Sequence, residues 1–354
     1  MTKLSDPMAA TLLSVSASAY AAYASNRLLE KMPAAKLQLG DAAFNHWKDH
    51  LGQRLEELSA AISEESIELF VSQVRWSRAA FAARQVPDEM LRESLACLAE
   101  TLDEELPEAN RDVPGQYLAA AVESFEEDRP VHLDLEATNE VSRLALSYLE
   151  RALEADTRQA IQIMLDARDG GIPLEEVYRA LMTAQGEIGS MWHKAEVSIA
   201  EEHLVTSTTK QVLSILSFQA ERQPANGLTV LSAAVAGNTH DLGVRVVSDF
   251  FEMAGWRTVC LGGNLPPQEI AQAVATFSAS LALLSAAIST QLQALRETVQ
   301  AIRQLGQPCK IIVGGSALSA APELWKQTGA DAYARSPREA LDTGLQLVQS
   351  GNNA

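Results

Sequence analysis

A single histidine lies in a short glycine-bounded loop that follows an apolar run. The run is Leu228–Val235, and the loop at 236–243 contains Asn238, His240 and Gly243. Neutral imidazole is a good ligand for a borderline transition metal, and an oxygen on the second ring nitrogen would fix its tautomer. Glycine lets a bulky planar group approach the backbone. The loop is therefore a candidate metal-binding site, although a lone histidine in such a loop is more often a surface or capping residue.

Two further pairs of residues have a spacing and side-chain types that could form a ligand-binding site. Trp192 and His193 are followed ten positions later by Glu202 and His203. The indole offers a large apolar surface, and the imidazoles and the carboxylate offer metal ligands or hydrogen-bond partners. Taken singly, a tryptophan at the end of an apolar stripe is usually part of a core, and Glu-His on a helix is usually solvated. The joint spacing is what makes these residues candidates.

The histidine loop resembles a known motif. Asn238-x-His240-x-x-Gly243 is similar to the Asp/Glu-x-His-x-x-Gly signature of cobalamin-binding domains, in which the histidine replaces the dimethylbenzimidazole base below the cobalt. The resemblance implies a cobalamin cofactor with His240 as the lower cobalt ligand and with Asp241 and Leu242 in the binding loop. Asn238 stands where the family has a carboxylate, so it can accept a hydrogen bond from the His240 ring but adds no negative charge.

Later segments resemble the same family in the expected order. Ser285 ends the third apolar run, and Gly314 and Gly315 end the fourth, like the serine and double glycine that line the slot for the displaced nucleotide tail. The resemblance covers residues 228–349. It implies that Ser285, Gly314 and Gly315 contact the cofactor.

The two residue pairs resemble a more specific motif. Trp192, His193, Glu202 and His203 are similar to the cap of the light-sensing, adenosylcobalamin-dependent repressors that control carotenoid synthesis. That resemblance implies that Trp192 covers the alkyl group and that Glu202 and His203 contact the upper ligand. It also implies that His193 coordinates the cobalt after light removes the alkyl group. Adenosylcobalamin is favoured as the bound form, with methylcobalamin as the alternative.

The elements that must position these residues divide the chain into three parts. Residues 1–130 are rich in Ala, Leu and Glu with helical spacing and few β-branched runs, which predicts an all-α domain. Residues 131–222 contain four helical stripes, which predicts a four-helix-bundle cap. In 223–354, short apolar runs alternate with amphipathic helices, which predicts a flavodoxin-like, doubly wound parallel sheet of five strands. A polar segment at 126–130 is the predicted linker between the first two parts.

The composition restricts the partners of the protein. Asp and Glu outnumber Lys and Arg by 46 to 28, for a formal net charge of −18, so direct binding of nucleic acid is not expected. The sequence shows neither a signal peptide nor an apolar run that could span a membrane, and its three cysteines are widely spaced. We therefore expect a cytoplasmic protein with buried or free thiols.

These features predict a non-enzymatic, cobalamin-dependent light sensor. Loss of the upper ligand would rearrange the cap and act through a protein partner or a homo-oligomer interface. The first alternative is a corrinoid methyl carrier of a methyltransferase system, which the long N-terminal domain disfavours because carriers usually have little before the cap. The second alternative is a cobalamin sensor without light chemistry. A radical mutase is disfavoured because no substrate barrel of the usual kind is present.

Overall fold

The computed structural model describes residues 4–126, 135–319 and 321–351. The chain forms two compact units, Met1–Val131 and His132–Ala354, and each is considered by itself below. Most of the predicted linker at 126–130 lies outside the described residues.

The first unit is helical throughout its described part, as predicted. Alanine and leucine repeat with helical spacing, and Pro33 and Pro87 stand at the starts of helices, where a missing amide hydrogen costs nothing. The largest buried side chains include Trp47, Phe70 and Tyr117. The helices are α1 (Pro7–Val15), α2 (Ala17–Lys31), α3 (Pro33–Leu39), α4 (Ala43–Ser63), α5 (Ile67–Ala83), α6 (Asp88–Glu105) and α7 (Asp112–Glu123).

The second unit begins with the predicted four helices of the cap. They are α8 (Glu140–Leu153), α9 (Thr157–Asp169), α10 (Leu174–His193) and α11 (Ile199–Gln219). Asn139 and Ser198 each close a capping box with the third residue of the helix that follows, which satisfies amide hydrogens at the starts of α8 and α11. The apolar faces of the four helices meet in one buried cluster. The four-helix prediction is confirmed.

A five-stranded parallel sheet follows the cap, again as predicted. The strands are β1 (Thr229–Ala234), β2 (Arg257–Cys260), β3 (Leu281–Ser285), β4 (Lys310–Gly314) and β5 (Ala332–Tyr333). The helices are α12 (Leu242–Met253), α13 (Pro267–Thr276), α14 (Leu292–Gln304) and α15 (Pro337–Gly351). The strand order is β2-β1-β3-β4-β5, so the order reverses between β1 and β3. In open sheets of this kind, ligands bind in the crevice beyond the carboxyl ends of the strands at that switch point.

The cap packs directly on the sheet domain through α12. Val246 and Phe250 of α12 belong to the same buried cluster as the cap helices, and the rings of Phe250 and Tyr178 meet edge to face with centroids 5.7 Å apart. Among the described residues, no helix is long and apolar enough to cross a bilayer.

Candidate functional site

The His240 loop connects β1 to α12 at the switch point of the sheet. His240 is exposed, whereas Asn238 is fully buried. The Asn238 side-chain oxygen accepts a hydrogen bond from the backbone amide of His240 (3.0 Å), and its NH2 group donates to the carbonyl oxygen of Ser285 (3.1 Å). The sequence predicted that this oxygen would meet the His240 ring, but the structure uses it to fix the backbone of the loop. An asparagine suits this position because its amide donates to a carbonyl oxygen that a carboxylate would repel.

Two residues that the sequence analysis did not single out also hold the loop. The Asn264 side-chain oxygen accepts a hydrogen bond from the amide of Gly237 (2.9 Å), and the Gln291 side chain donates to the Gly237 carbonyl oxygen (3.0 Å). Gln291 also accepts from the amide of Ala287 (2.7 Å). The sequence signal that could have identified these two residues is a polar side chain shortly after the end of a predicted strand. The contacts join the ends of β1, β2 and β3 around the base of the His240 loop.

A cavity of about 310 Å³ opens between α12, the ends of β3 and β4, and the start of α15. Three of the predicted glycines and Ser285 lie in its wall. A β-carbon added at Gly243 would meet no atom within 4 Å, so this position leaves the wall open toward the cavity. The lining residues are Met182, Gly243, Val244, Val246, Val247, Leu283, Leu284, Ser285, Ile312, Val313, Gly314, Gly315, Ala334, Arg335, Ser336, Pro337 and Ala340.

The backbone geometry also explains why two glycines end β4. Gly315 has φ +102°, and a β-carbon there would lie 2.1 Å from the carbonyl oxygen of Ala286. At Gly314 the corresponding atom would lie 3.0 Å from the carbonyl oxygen of Ala334. Gly315 is therefore required by the fold, whereas Gly243 is free of such constraint. A mostly apolar, glycine-walled cavity beside an exposed imidazole fits a flat cofactor with a buried tail.

The four cap residues lie where α10 ends and α11 begins. His193 is 2 % exposed and Trp192 is half-buried, while His203 is exposed on the first turns of α11. The His203 Nδ1 atom is 2.5 Å from a carboxylate oxygen of Glu202. The other Glu202 oxygen accepts a hydrogen bond from Thr206 (2.8 Å). The structure thus joins Glu202 and His203 into one polar group and places His193 within the cap.

An ion pair joins the middle of α11 to the His240 loop. Lys210 of α11 lies 2.9 Å from a carboxylate oxygen of Asp241, the residue after His240. His203 precedes Lys210 by seven positions, which is about 10.5 Å along a helix axis. The start of α11 therefore extends about two turns beyond the point at which the helix is tied to the loop.

A buried carboxylate joins the opposite end of the cap to the sheet domain. Asp249 of α12 accepts hydrogen bonds from the hydroxyls of Tyr178 (2.9 Å) and Ser217 (3.0 Å), and Arg245 Nε lies 3.6 Å away. Burial raises the pKa of the Asp249 carboxyl, and the hydrogen bonds from Tyr178 and Ser217 and the nearby Arg245 oppose that rise. Burial likewise raises the pKa of the Tyr178 phenol.

Comparison with known proteins identifies both parts of the second unit. Residues 228–342 match a family model described as a B12 binding domain, and residues 140–217 match a second model with the same description. Dimethylamine corrinoid protein 1 of Methanosarcina mazei is 24 % identical over 221 residues, which is 60 % of this chain and 96 % of that protein. The dimethylamine corrinoid protein of Methanosarcina barkeri is 23 % identical over 181 residues, covering 50 % and 84 %. The structure of the Methanosarcina barkeri monomethylamine corrinoid protein aligns with a TM-score of 0.50 at 17 % identity over 58 % of this chain and 98 % of that one, and so shows the same fold.

Residues 140–217 and 228–342 thus form a B12-binding domain pair, and cobalamin is the cofactor. The predicted light-sensing function is wrong, because the relatives that match this chain are named dimethylamine corrinoid proteins rather than photoreceptors.

Proposed function

We propose that this chain is a corrinoid carrier protein that holds a methyl-bearing cobalamin between cap and sheet and presents it to a methyltransferase. The main support for this proposal is the exposed His240 at the switch point, beside a glycine-walled cavity and under a helical cap. The relatives named above, which this chain covers over 96 % and 84 % of their length, are corrinoid proteins. A carrier needs no catalytic residues of its own, since the partner enzyme catalyses the transfer.

When bound, the cofactor supplies a cobalt atom that accepts and releases a methyl group. His240 would be its lower ligand, presented on a loop whose backbone is held by Asn238. Gly243, Ser285 and Gly315 would line the slot for the nucleotide tail, together with Gly314. These side chains bind and orient the cofactor.

The cap residues would cover the opposite face of the corrin. Trp192 would provide an apolar wall there, and the joined Glu202–His203 pair would provide the polar contacts. His193 is buried in the cap and would support Trp192. Its predicted coordination of cobalt after photolysis has no place in a carrier.

The domain limits and partners follow from this role. We take 131–222 as the cap, 223–354 as the cobalamin-binding sheet domain and 1–130 as a separate helical domain. The helical domain would contribute to recognition of the protein partner. Methylcobalamin, rather than adenosylcobalamin, is the form that a carrier requires.

The test is transfer of a labelled methyl group. The full chain, loaded with isotopically labelled methylcobalamin, is incubated in the dark with a small thiol and a soluble extract of the source organism. We expect label to reach the thiol only when both loaded protein and native extract are present, with heated extract as control. Tight cobalamin binding without any transfer would contradict the carrier function while leaving the cofactor assignment intact.

A further inference from the structure

The polar contacts between cap and sheet differ sharply along the cap. Asp249 is 4 % exposed, and its two oxygens accept hydrogen bonds from Tyr178 of α10 and Ser217 of α11. By contrast, Lys210 and Asp241 form an ion pair in which both side chains remain partly exposed. Separating a buried carboxylate from its hydrogen-bond donors costs much free energy, whereas breaking an exposed ion pair costs little.

The two donors to Asp249 stand at the same end of an antiparallel helix pair. Tyr178 precedes Trp192 by fourteen positions on α10, and Ser217 follows His203 by fourteen positions on α11. Each interval is about 21 Å of helix. One carboxylate therefore holds both helices at equal distances from the residues proposed to cover the cofactor.

Other contacts strengthen that end of the cap. Arg338 of α15 pairs with Glu175 at the start of α10 (2.6 Å), and its guanidinium lies over the ring of Phe250. The Tyr178 ring packs edge to face against the same phenylalanine. This end of the cap is thus tied to both α12 and α15.

A small rotation about such a point has a large effect at the far end. Turning a rigid arm of about 21 Å by roughly 10° moves its tip by roughly 4 Å. Lys210 lies midway, seven positions from both Ser217 and His203. The ion pair between Lys210 and Asp241 therefore limits such a rotation close to His240.

We propose that Asp249 is a positioning residue that serves as the pivot of the cap, and that the Lys210–Asp241 ion pair is the releasable contact that sets the height of the cap over His240. The inference rests on the proposed function, because a carrier must admit partners to the covered face. Asp249 acts through the cap helices and does not touch the reacting atoms.

The test measures a distance in the ligand-free full chain, so it does not depend on methyl transfer. Spin labels are placed on cysteines introduced at Glu196, in the loop between α10 and α11, and at Gln268 on α13, with the exposed Cys260 replaced by serine. In Lys210→Met we expect the distance distribution to broaden and extend, by roughly 4 Å for a rotation of about 10°. Lys210→Arg, which keeps the charge, is expected to show the same distance distribution as the parent protein.

Salt provides an independent check on the ion pair. At about 1 M salt, where the Debye length is about 3 Å, the parent protein should show the distribution of Lys210→Met, and that variant should not change further. An unchanged distribution both in the variant and at high salt would overturn the releasable contact.

The pivot is tested by removing the donors one at a time. Tyr178→Phe and Ser217→Ala each keep the carboxylate with one hydroxyl donor, and we expect each to broaden the distribution even at high salt. Asp249→Asn, which keeps an acceptor of the same size, should broaden it less than Asp249→Leu. If folded Asp249→Leu, or both single-donor variants, retain a distribution as narrow as the parent, Asp249 is not the pivot.

Discussion

One buried group of ionisable side chains in each unit shows how differently such groups can be satisfied. In the first, Arg54, Glu57 and His50 lie along one face of α4, where Arg54 pairs with Glu57 three positions away (2.8 Å) and also donates to the carbonyl oxygen of Gln73 in α5 (3.0 Å). In the second, Asp249 receives donors from two other helices. The first arrangement leaves the His50 Nε2 and Glu57 Oε2 atoms buried without a hydrogen-bond partner, while both Asp249 oxygens are satisfied. A buried carboxylate with both oxygens satisfied holds the elements that supply its donors, whereas a buried polar atom without a partner adds a cost in stability.

The largest effect is expected from breaking the α4 pair. Arg54→Met removes the cation and leaves Glu57 charged and buried, which should lower the free energy of unfolding by about 3 to 5 kcal/mol. Glu57→Gln removes the charge but keeps an acceptor, and should cost less. Chemical denaturation followed by tryptophan fluorescence measures both. A loss for Arg54→Met no greater than that for Glu57→Gln would contradict the comparison.

Two of the three glycines in the cavity wall distinguish a requirement of the fold from a contribution to cofactor binding. Gly315→Ala combines a positive φ with a clash against the Ala286 carbonyl and should cost about 2 to 4 kcal/mol. Gly243→Ala meets no atom within 4 Å and should change stability by less than about 1 kcal/mol. Thermal unfolding measures the first difference, and cobalamin titration of Gly243→Val, which narrows the cavity, measures the second. Equal stability of the two alanine variants would show that the backbone constraint at Gly315 is not real.

The smallest effect concerns the pH dependence of the first unit. Burial, and secondarily the nearby Arg54 charge, lowers the pKa of His50 well below its usual 6.5. The unfolded chain therefore binds a proton that the folded chain does not, so stability is retained above about pH 6.5 and falls as the pH drops below it. The slope for one proton is at most about 1.4 kcal/mol per pH unit.

The matched variant isolates this histidine from other titrating groups. Burial raises the pKa of Glu57, so its protonation favours the folded state as the pH falls and partly opposes His50. His50→Leu should therefore lose less stability than the parent protein between pH 7.5 and 5.5, a window set around the usual histidine pKa of about 6.5. Parallel pH profiles for the two proteins would refute the role of His50.

Most of the fold could be predicted because it follows from local periodicity. Apolar runs followed by helical stripes locate the five strands, and the strand–loop–helix pattern places His240 at a sheet edge. The contacts that orient the site are not local. Tyr178 and Asp249 are 71 positions apart in sequence, and no spacing rule connects them. The contact of Asn238 with Ser285, 47 positions away, is non-local in the same way, whereas its contact with the His240 amide two positions on is a local turn contact that the sequence analysis missed.

The function was harder to predict than the fold because the types of the four cap residues suit more than one upper ligand. An indole, two imidazoles and a carboxylate, as at Trp192, His193, Glu202 and His203, suit either a photolabile adenosyl group or a transferable methyl group. The length of the N-terminal domain was weighed against a carrier, yet a domain outside the matched region does not constrain the chemistry within it.

The most direct test of the account is the electron paramagnetic resonance spectrum of the cob(II)alamin-loaded full chain. The protein is prepared with ordinary histidine and with histidine carrying the spin-half nitrogen isotope, and His240→Ala is the control. If His240 is the lower ligand, the triplet splitting from an axial nitrogen becomes a doublet on labelling, and the labelled-histidine pattern is lost in the variant. A triplet that survives labelling would show that the cofactor keeps its own base, which would contradict the central role assigned to His240.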